Sequence, residues 1–187
     1  MKVIKRGANV ALTREIPALT GIVVGVSWDA GAEVALARSL VTATILCDDS
    51  DRAVSDEHFV FFNQLSSPDL SVRQLDQALG EDDEQIEIDL AAVPAEIHRL
   101  VVVLYLNEGS VQRRALGRLK RCGVRVLDLA DNRELVRSEN LAQVLDQETA
   151  VALAEVYRRD GGWKFKVVGQ GYADGVAQVA ADYGVTL

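Results

Sequence analysis

The heptapeptide Glu84-Gln85-Ile86-Glu87-Ile88-Asp89-Leu90 alternates strictly between polar and apolar residues. A period of two belongs to an extended strand with one buried face, so Ile86, Ile88 and Leu90 point to a core and Gln85, Glu87 and Asp89 away from it. Residues 100–104 are continuously apolar and mostly β-branched, the pattern of a strand covered on both sides. Segments 21–28, 40–47, 59–62, 99–106 and 123–129 are likewise short and rich in β-branched or aromatic residues. The clearest hairpin is Arg159-Asp160-Gly161-Gly162 followed by Trp163-Lys164-Phe165-Lys166-Val167, which sends Trp163 and Phe165 into the core. After Asp174, an expected N-cap, Val176, Val179, Ala180 and Tyr183 fall on one helical face, and Gly184 can close that helix in a left-handed conformation. Residues 110–122, with Ala115, Leu116 and Leu119 among basic residues, read as a short amphipathic helix.

About ten short strands and a terminal helix predict an all-β chain, a β-sandwich of two antiparallel sheets with a C-terminal α-helix. At roughly 150 residues per domain, and with no linker, repeat or composition break, residues 1–187 are expected to form a single domain. Aromatic residues make up only 5%, so the core must be aliphatic. The net charge of −8 opposes broad capture of nucleic acid or anionic membrane and is compatible with cation binding. No apolar run follows Lys2, Lys5 and Arg6, and none approaches the length of a membrane span, so a cytoplasmic protein is expected. Cys47 and Cys122 form no CxxC and have no histidine at ligand spacing, which leaves a pair of reduced, apolar residues.

Three constellations bear on chemistry. The acidic run Glu81-Asp82-Asp83-Glu84 precedes a strand, and adjacent carboxylates of this kind either ligate a hard cation or form a solvated turn. A second arm could come from Asp29 and Glu33, and a third from Asn63 and Gln64, although no spacing matches an EF-hand loop. Asp48, Asp49 and Asp51 read as a hairpin turn. Arg113, Arg114, Arg118, Lys120 and Arg121 form a dense basic segment without interleaved aromatics, suited to a phosphate, an anionic partner or a lipid headgroup rather than to nucleic acid. The glycines of residues 169–175 do not make a GxGxxG or P-loop motif. His58 and His98 accompany no nucleophile motif, so no catalytic set can be assembled and no enzyme is expected.

Several stretches together resemble the TerD family of tellurium-resistance and stress proteins. They are Gly7-Ala8-Asn9-Val10-Ala11-Leu12-Thr13, Val24-Gly25-Val26-Ser27-Trp28-Asp29, Phe59-Val60-Phe61-Phe62-Asn63, and Asp82-Asp83-Glu84 running on to Ala92-Val93-Pro94. The C-terminal stretch is the most specific: Glu155-Val156-Tyr157-Arg158, Gly162-Trp163-Lys164-Phe165, Val168-Gly169-Gln170-Gly171-Tyr172, Gly175 and Tyr183-Gly184. The resemblance implies a β-sandwich that binds calcium through acidic loops, has no established enzymatic activity, and acts in bacterial stress resistance through protein complexes, some near the inner membrane. Protein partners are therefore expected; nucleic acid and membrane insertion are not, and peripheral membrane association stays open.

One departure bears on the metal. Typical members carry an Asp-x-Asp-x-Asp arm shortly after the Trp-Asp pair, and the corresponding positions here are Ala37, Ser39 and Val41, with Arg38 among them. Asp29, Asn63, Asp82, Asp83 and Glu84 survive as metal-ligand candidates. Because calcium affinity follows ligand charge and rigidity, the expectation is a degenerate site with calcium bound weakly or not at all. The alternative is a functional calcium module that rebuilds a site from those residues and Glu33.

Overall fold

The computed structural model describes residues 2–107 and 114–187. Its strands, in chain order, are β1 (Val3–Ile4), β2 (Asn9–Ala11), β3 (Gly21–Asp29), β4 (Leu40–Cys47), β5 (Phe59–Val60), β6 (Val72–Gln74), β7 (Glu84–Asp89) and β8 (Arg99–Leu106), then β9 (Arg121–Asp128), β10 (Glu134–Ser138), β11 (Ala150–Arg159) and β12 (Gly162–Tyr172). The helices are α1 (Leu12–Glu15), α2 (Val34–Ser39) and α3 (Gly175–Tyr183). One sheet has the order β1-β10-β9-β3-β7-β6, the other β2-β12-β11-β8-β4-β5. Every pairing is antiparallel except β1 with β10.

The sheets pack face to face over an aliphatic core. Alternation on β3, β7 and β9 sends Val24, Val26, Ile86, Ile88, Val124 and Val126 inward, where they meet Leu100, Val102 and Leu104 of β8 and Val151, Leu153 and Phe165 of the β11–β12 hairpin. β8 is buried on both faces because its other side, with Val101, Val103 and Tyr105, lies under Val179 and Ala180 of α3. The continuous apolar run 100–104 is thus the central strand of a sheet covered on both sides. Cys47 and Cys122 are both buried and free, and burial pushes each thiol up to about 12.

Several local expectations are corrected. Segment 59–62 stops as a strand at Val60, because Phe61 and Gln64 exchange backbone hydrogen bonds (2.9 and 3.0 Å) around a tight turn bearing Phe62 and Asn63. The Asp174 side chain does not cap α3; its backbone N–H instead donates to Gln178 Oε1 at 3.2 Å. Gly184 does close that helix, at φ 74°. The amphipathic helix expected over 110–122 lies partly outside the described residues; from 114 onward the chain forms a 3-10 turn at Leu116–Arg118 and then enters β9. Strands β1, β2, β6 and β10 and helices α1 and α2 were not anticipated.

Arg158 secures the hairpin to the β7–β8 connection. Its guanidinium donates to the carbonyls of Val93, Pro94 and Ile97 at 2.8–3.0 Å and stacks 4.3 Å from the Trp163 ring centroid. Phe165 is, with Phe59, among the largest fully buried side chains of a mainly aliphatic core. Phe165→Ala is expected to lower stability by about 3–5 kcal/mol in urea unfolding, and a loss below about 1 kcal/mol would show that the site collapses around the deletion.

Candidate functional site

The acidic run lies where β7 begins, and its carboxylates part company: Glu81 and Asp82 turn to arginine side chains, Asp83 and Glu84 to backbone N–H groups. Alternation sends Arg121, Gly123 and Arg125 of β9 to the outer face of their sheet, opposite Asp29, Ser27 and Gly25 of β3. Gly25 in turn pairs with Gln85 of β7, and Arg125 with Arg137 of β10. The Asp82 carboxylate rests over Gly25, where a Cβ would overlap it. There it accepts two bonds from Arg125, Nε at 2.9 Å and Nη2 at 3.0 Å, and one from Gln85 Nε2 at 2.8 Å. This fork-on-carboxylate geometry is the strongest form of protein ion pair, and the Asp82 side chain is only 2% exposed.

Glu81 and Glu134 complete the network. Glu81 Oε1 lies 2.6 Å from Arg137 Nη2 and 3.3 Å from Arg125 Nη1. Glu134 bonds both guanidiniums, Arg125 at 3.1 Å and Arg137 through Nε at 3.1 Å. Burial alone would lower the Arg125 pKa, but its bonds to Asp82 and Glu134 outweigh that and raise it. Burial likewise pushes the Glu134 carboxyl up, and Arg137 and Arg125 reverse this and hold it below its ordinary 4.5.

The other two carboxylates turn elsewhere. Asp83 Oδ2 accepts the Trp28 backbone N–H at 2.8 Å, and partial burial raises its pKa. Glu84 turns inward and bridges the sheets. Its Oε1 accepts the free-edge Thr42 N–H of β4 at 2.9 Å and its Oε2 accepts Gln74 Nε2 at 3.0 Å, while burial pushes its carboxyl up against these donors.

A cleft of about 380 Å³ opens beside the network and brings Asp29, Asp83 and Glu81 together with Arg121, Arg125 and Arg137. Of the five metal-ligand candidates, only Asp29 and Asp83 line it. Asp82 is held by Arg125, Glu84 faces Thr42, and Asn63 is exposed on its own turn. Glu33 pairs with Arg118 at 2.5 Å, and Asp29 Oδ1 accepts the Gly31 N–H at 2.8 Å. Ala37, Ser39 and Val41 lie on α2 and the start of β4, away from the cleft lining. Calcium takes about 6–8 oxygens. This donor set does not fit such a shell, and among the described residues no group of three or more His, Cys, Asp or Glu is arranged to hold a metal.

A TerD-domain family model matches residues 1–183. The chain belongs to the TerD family. It is 34% identical over 186 residues to the tellurium resistance protein TerD of Serratia marcescens, covering 97% of this chain and 96% of that one. General stress protein 16U of Bacillus subtilis is also 34% identical, over 187 residues, with the same coverage of both chains. A solved homologue of telluride resistance protein TerD from Streptomyces coelicolor superposes with a TM-score of 0.67 at 20% identity, covering 90% of this chain and 99% of that one, which places the fold. In this chain the acidic loop meets arginines of β9 and β10. The sequence reading missed Arg125 and Arg137, although the alternation Arg121-Cys122-Gly123-Val124-Arg125-Val126 already placed guanidiniums on one outer face.

Two outcomes follow. Gly25→Ala should evict the Asp82 carboxylate without changing any charge and cost about 3 kcal/mol, the size of a broken buried ion pair, in urea unfolding; a neutral substitution would mean the seat over Gly25 is dispensable. For Glu134, a pKa depressed in the fold contributes stability that is present above the unfolded value and lost as pH falls through the folded one. The stability gap between wild type and Glu134→Gln should therefore be largest at pH 7 and shrink progressively below about pH 4.5, as followed by unfolding curves at each pH.

Proposed function

We propose that this chain is a bacterial stress-response module of the tellurite-resistance and general-stress class, working by binding protein partners rather than by catalysis. The observation that carries it is the end-to-end TerD match to relatives named for tellurium resistance and general stress. Its support in the site is that charged groups lining the cleft engage one another, Glu81 with both Arg125 and Arg137. The cation side of the proposal is a degenerate site with calcium weak or absent, because Asp82 and Glu84 are committed to protein donors. Among the described residues no helix is long and apolar enough to cross a membrane. A cytoplasmic location is part of the same proposal.

The test has a cellular and a biophysical arm. Deleting the gene should sensitise its host to tellurite or to general stress, with rescue by the wild-type chain; unchanged survival under every stress tried would remove the role. In vitro, calcium at 100 times a dissociation constant would add about 2.7 kcal/mol of stability. The melting temperature is expected to be the same in micromolar calcium and in chelator, and a shift of that size would overturn the weak-cation half.

A further inference from the structure

A second cleft, of about 440 Å³, lies at the tip of the β11–β12 hairpin against α1. Its size is that of a small-molecule site. Three elements each bring a cation to it: Arg14 from α1, Arg159 from the end of β11 and Lys164 from β12. One carboxylate, Asp160, also lines it, which leaves an excess of two positive charges on a chain of net charge −8. Elsewhere Arg73, Arg99, Arg118, Arg125 and Arg137 all lie against carboxylates. Arg14 and Arg159 meet none among the described residues, and Lys164 donates there only to the neutral amide oxygen of Asn9, at 3.2 Å. Like charges gathered without a counter-charge repel, and an anion relieves that repulsion.

The hairpin and α1 hold the walls of this cleft in place. Asp160 and Gly161 take positive φ, 52° and 77°, in the two-residue turn that folds β12 back on β11. Gly162 then lets α1 approach, since a Cβ there would lie 2.4 Å from Thr13 Oγ. Thr13 Oγ accepts the Trp163 N–H at 2.8 Å and so ties α1 to the hairpin. The hydroxyl keeps its own hydrogen to donate.

We propose that this cleft binds a small phosphate monoester, its phosphoryl group among Arg14, Arg159 and Lys164 and its organic body against Ala11 and Pro17. A phosphate monoester carries about −1.5 to −2 charges at pH 7, which matches the positive excess. Guanidiniums take phosphate oxygens in paired bonds, and the Thr13 hydroxyl adds a neutral donor. A water's share of liquid volume is about 30 Å³, so a bare oxyanion would fill little of the cleft and the anion must bring a body with it. The site uses neither the acidic run nor a metal, and goes beyond the partner-binding role proposed above.

The test is calorimetric titration of the full chain with phenyl phosphate, inorganic phosphate and phenol. Phenyl phosphate should bind with a dissociation constant below about 1 mM. Inorganic phosphate should bind about tenfold more weakly, for want of the buried ring, and phenol not at all. Arg14→Gln and Arg159→Gln should each weaken phenyl phosphate about tenfold, with the melting temperature unchanged or raised because each removes a repelling charge. Arg73→Gln, on the other sheet, makes the same change in net charge and should leave the affinity alone. An equal loss there would reduce the binding to general attraction and overturn the site. So would silence with phenyl phosphate, or inorganic phosphate binding as tightly. Sedimentation with phosphatidylglycerol vesicles is the last arm: capture lost in Arg14→Gln, without phenyl phosphate binding, would give the cleft to a membrane surface and overturn the small-ligand assignment.

Discussion

The register of β9 against β3 decides which charges meet in this molecule. With Arg125 opposite Gly25, and Gly25 opposite Gln85, one row across three strands presents a guanidinium, an open seat and an amide to the carboxylate of Asp82. A slip of one residue would carry Arg125 into the aliphatic core and bring Val124 or Val126 to the surface, so core packing and charge pairing specify the same alignment. The consecutive acids of the loop then coexist because each is drawn off differently: Asp82 across the sheet, Asp83 to the backbone of Trp28, and Glu84 inward to the edge of β4.

What was legible in the sequence follows from what is local. The alternation of 84–90, the apolar run of 100–104 and the Asp160-Gly161 turn report geometry set by neighbours in the chain, and the strands and hairpin stand where those patterns put them. Edge strands of two or three residues carry too few positions for a period to register, which is why β1, β2 and β6 went unseen. β10 is interrupted by a bulge between Glu134 and Val136 that breaks its alternation. In the site, the acids were visible as a run, but their partners stand 43 and 56 residues away, so no window could pair them. The basic segment also looked different in sequence. Arg118 answers Glu33 and Arg121 stands opposite Asp29, which makes part of that cluster a complement to the second acidic arm.

The two acidic arms therefore share one solution. Both face cations supplied by β9, its approach or its neighbour β10, and the cleft between them is lined by charges of both signs. This leaves a mixed-charge surface beside Trp28, where the exposed Arg121 and the carboxylates of Asp29 and Asp83 stand close in the fold.

The outermost strands of both sheets, β1 and β6 on one and β2 and β5 on the other, span only two or three residues each. A row of unpaired N–H and C=O groups is a template on which other chains can stack, and its reach scales with its length. β5 covers only Thr44 and Ile45 of β4, and at Thr42 it is the Glu84 carboxylate, not a further strand, that takes the N–H the border leaves open, so a neighbouring copy's strand finds that position already occupied.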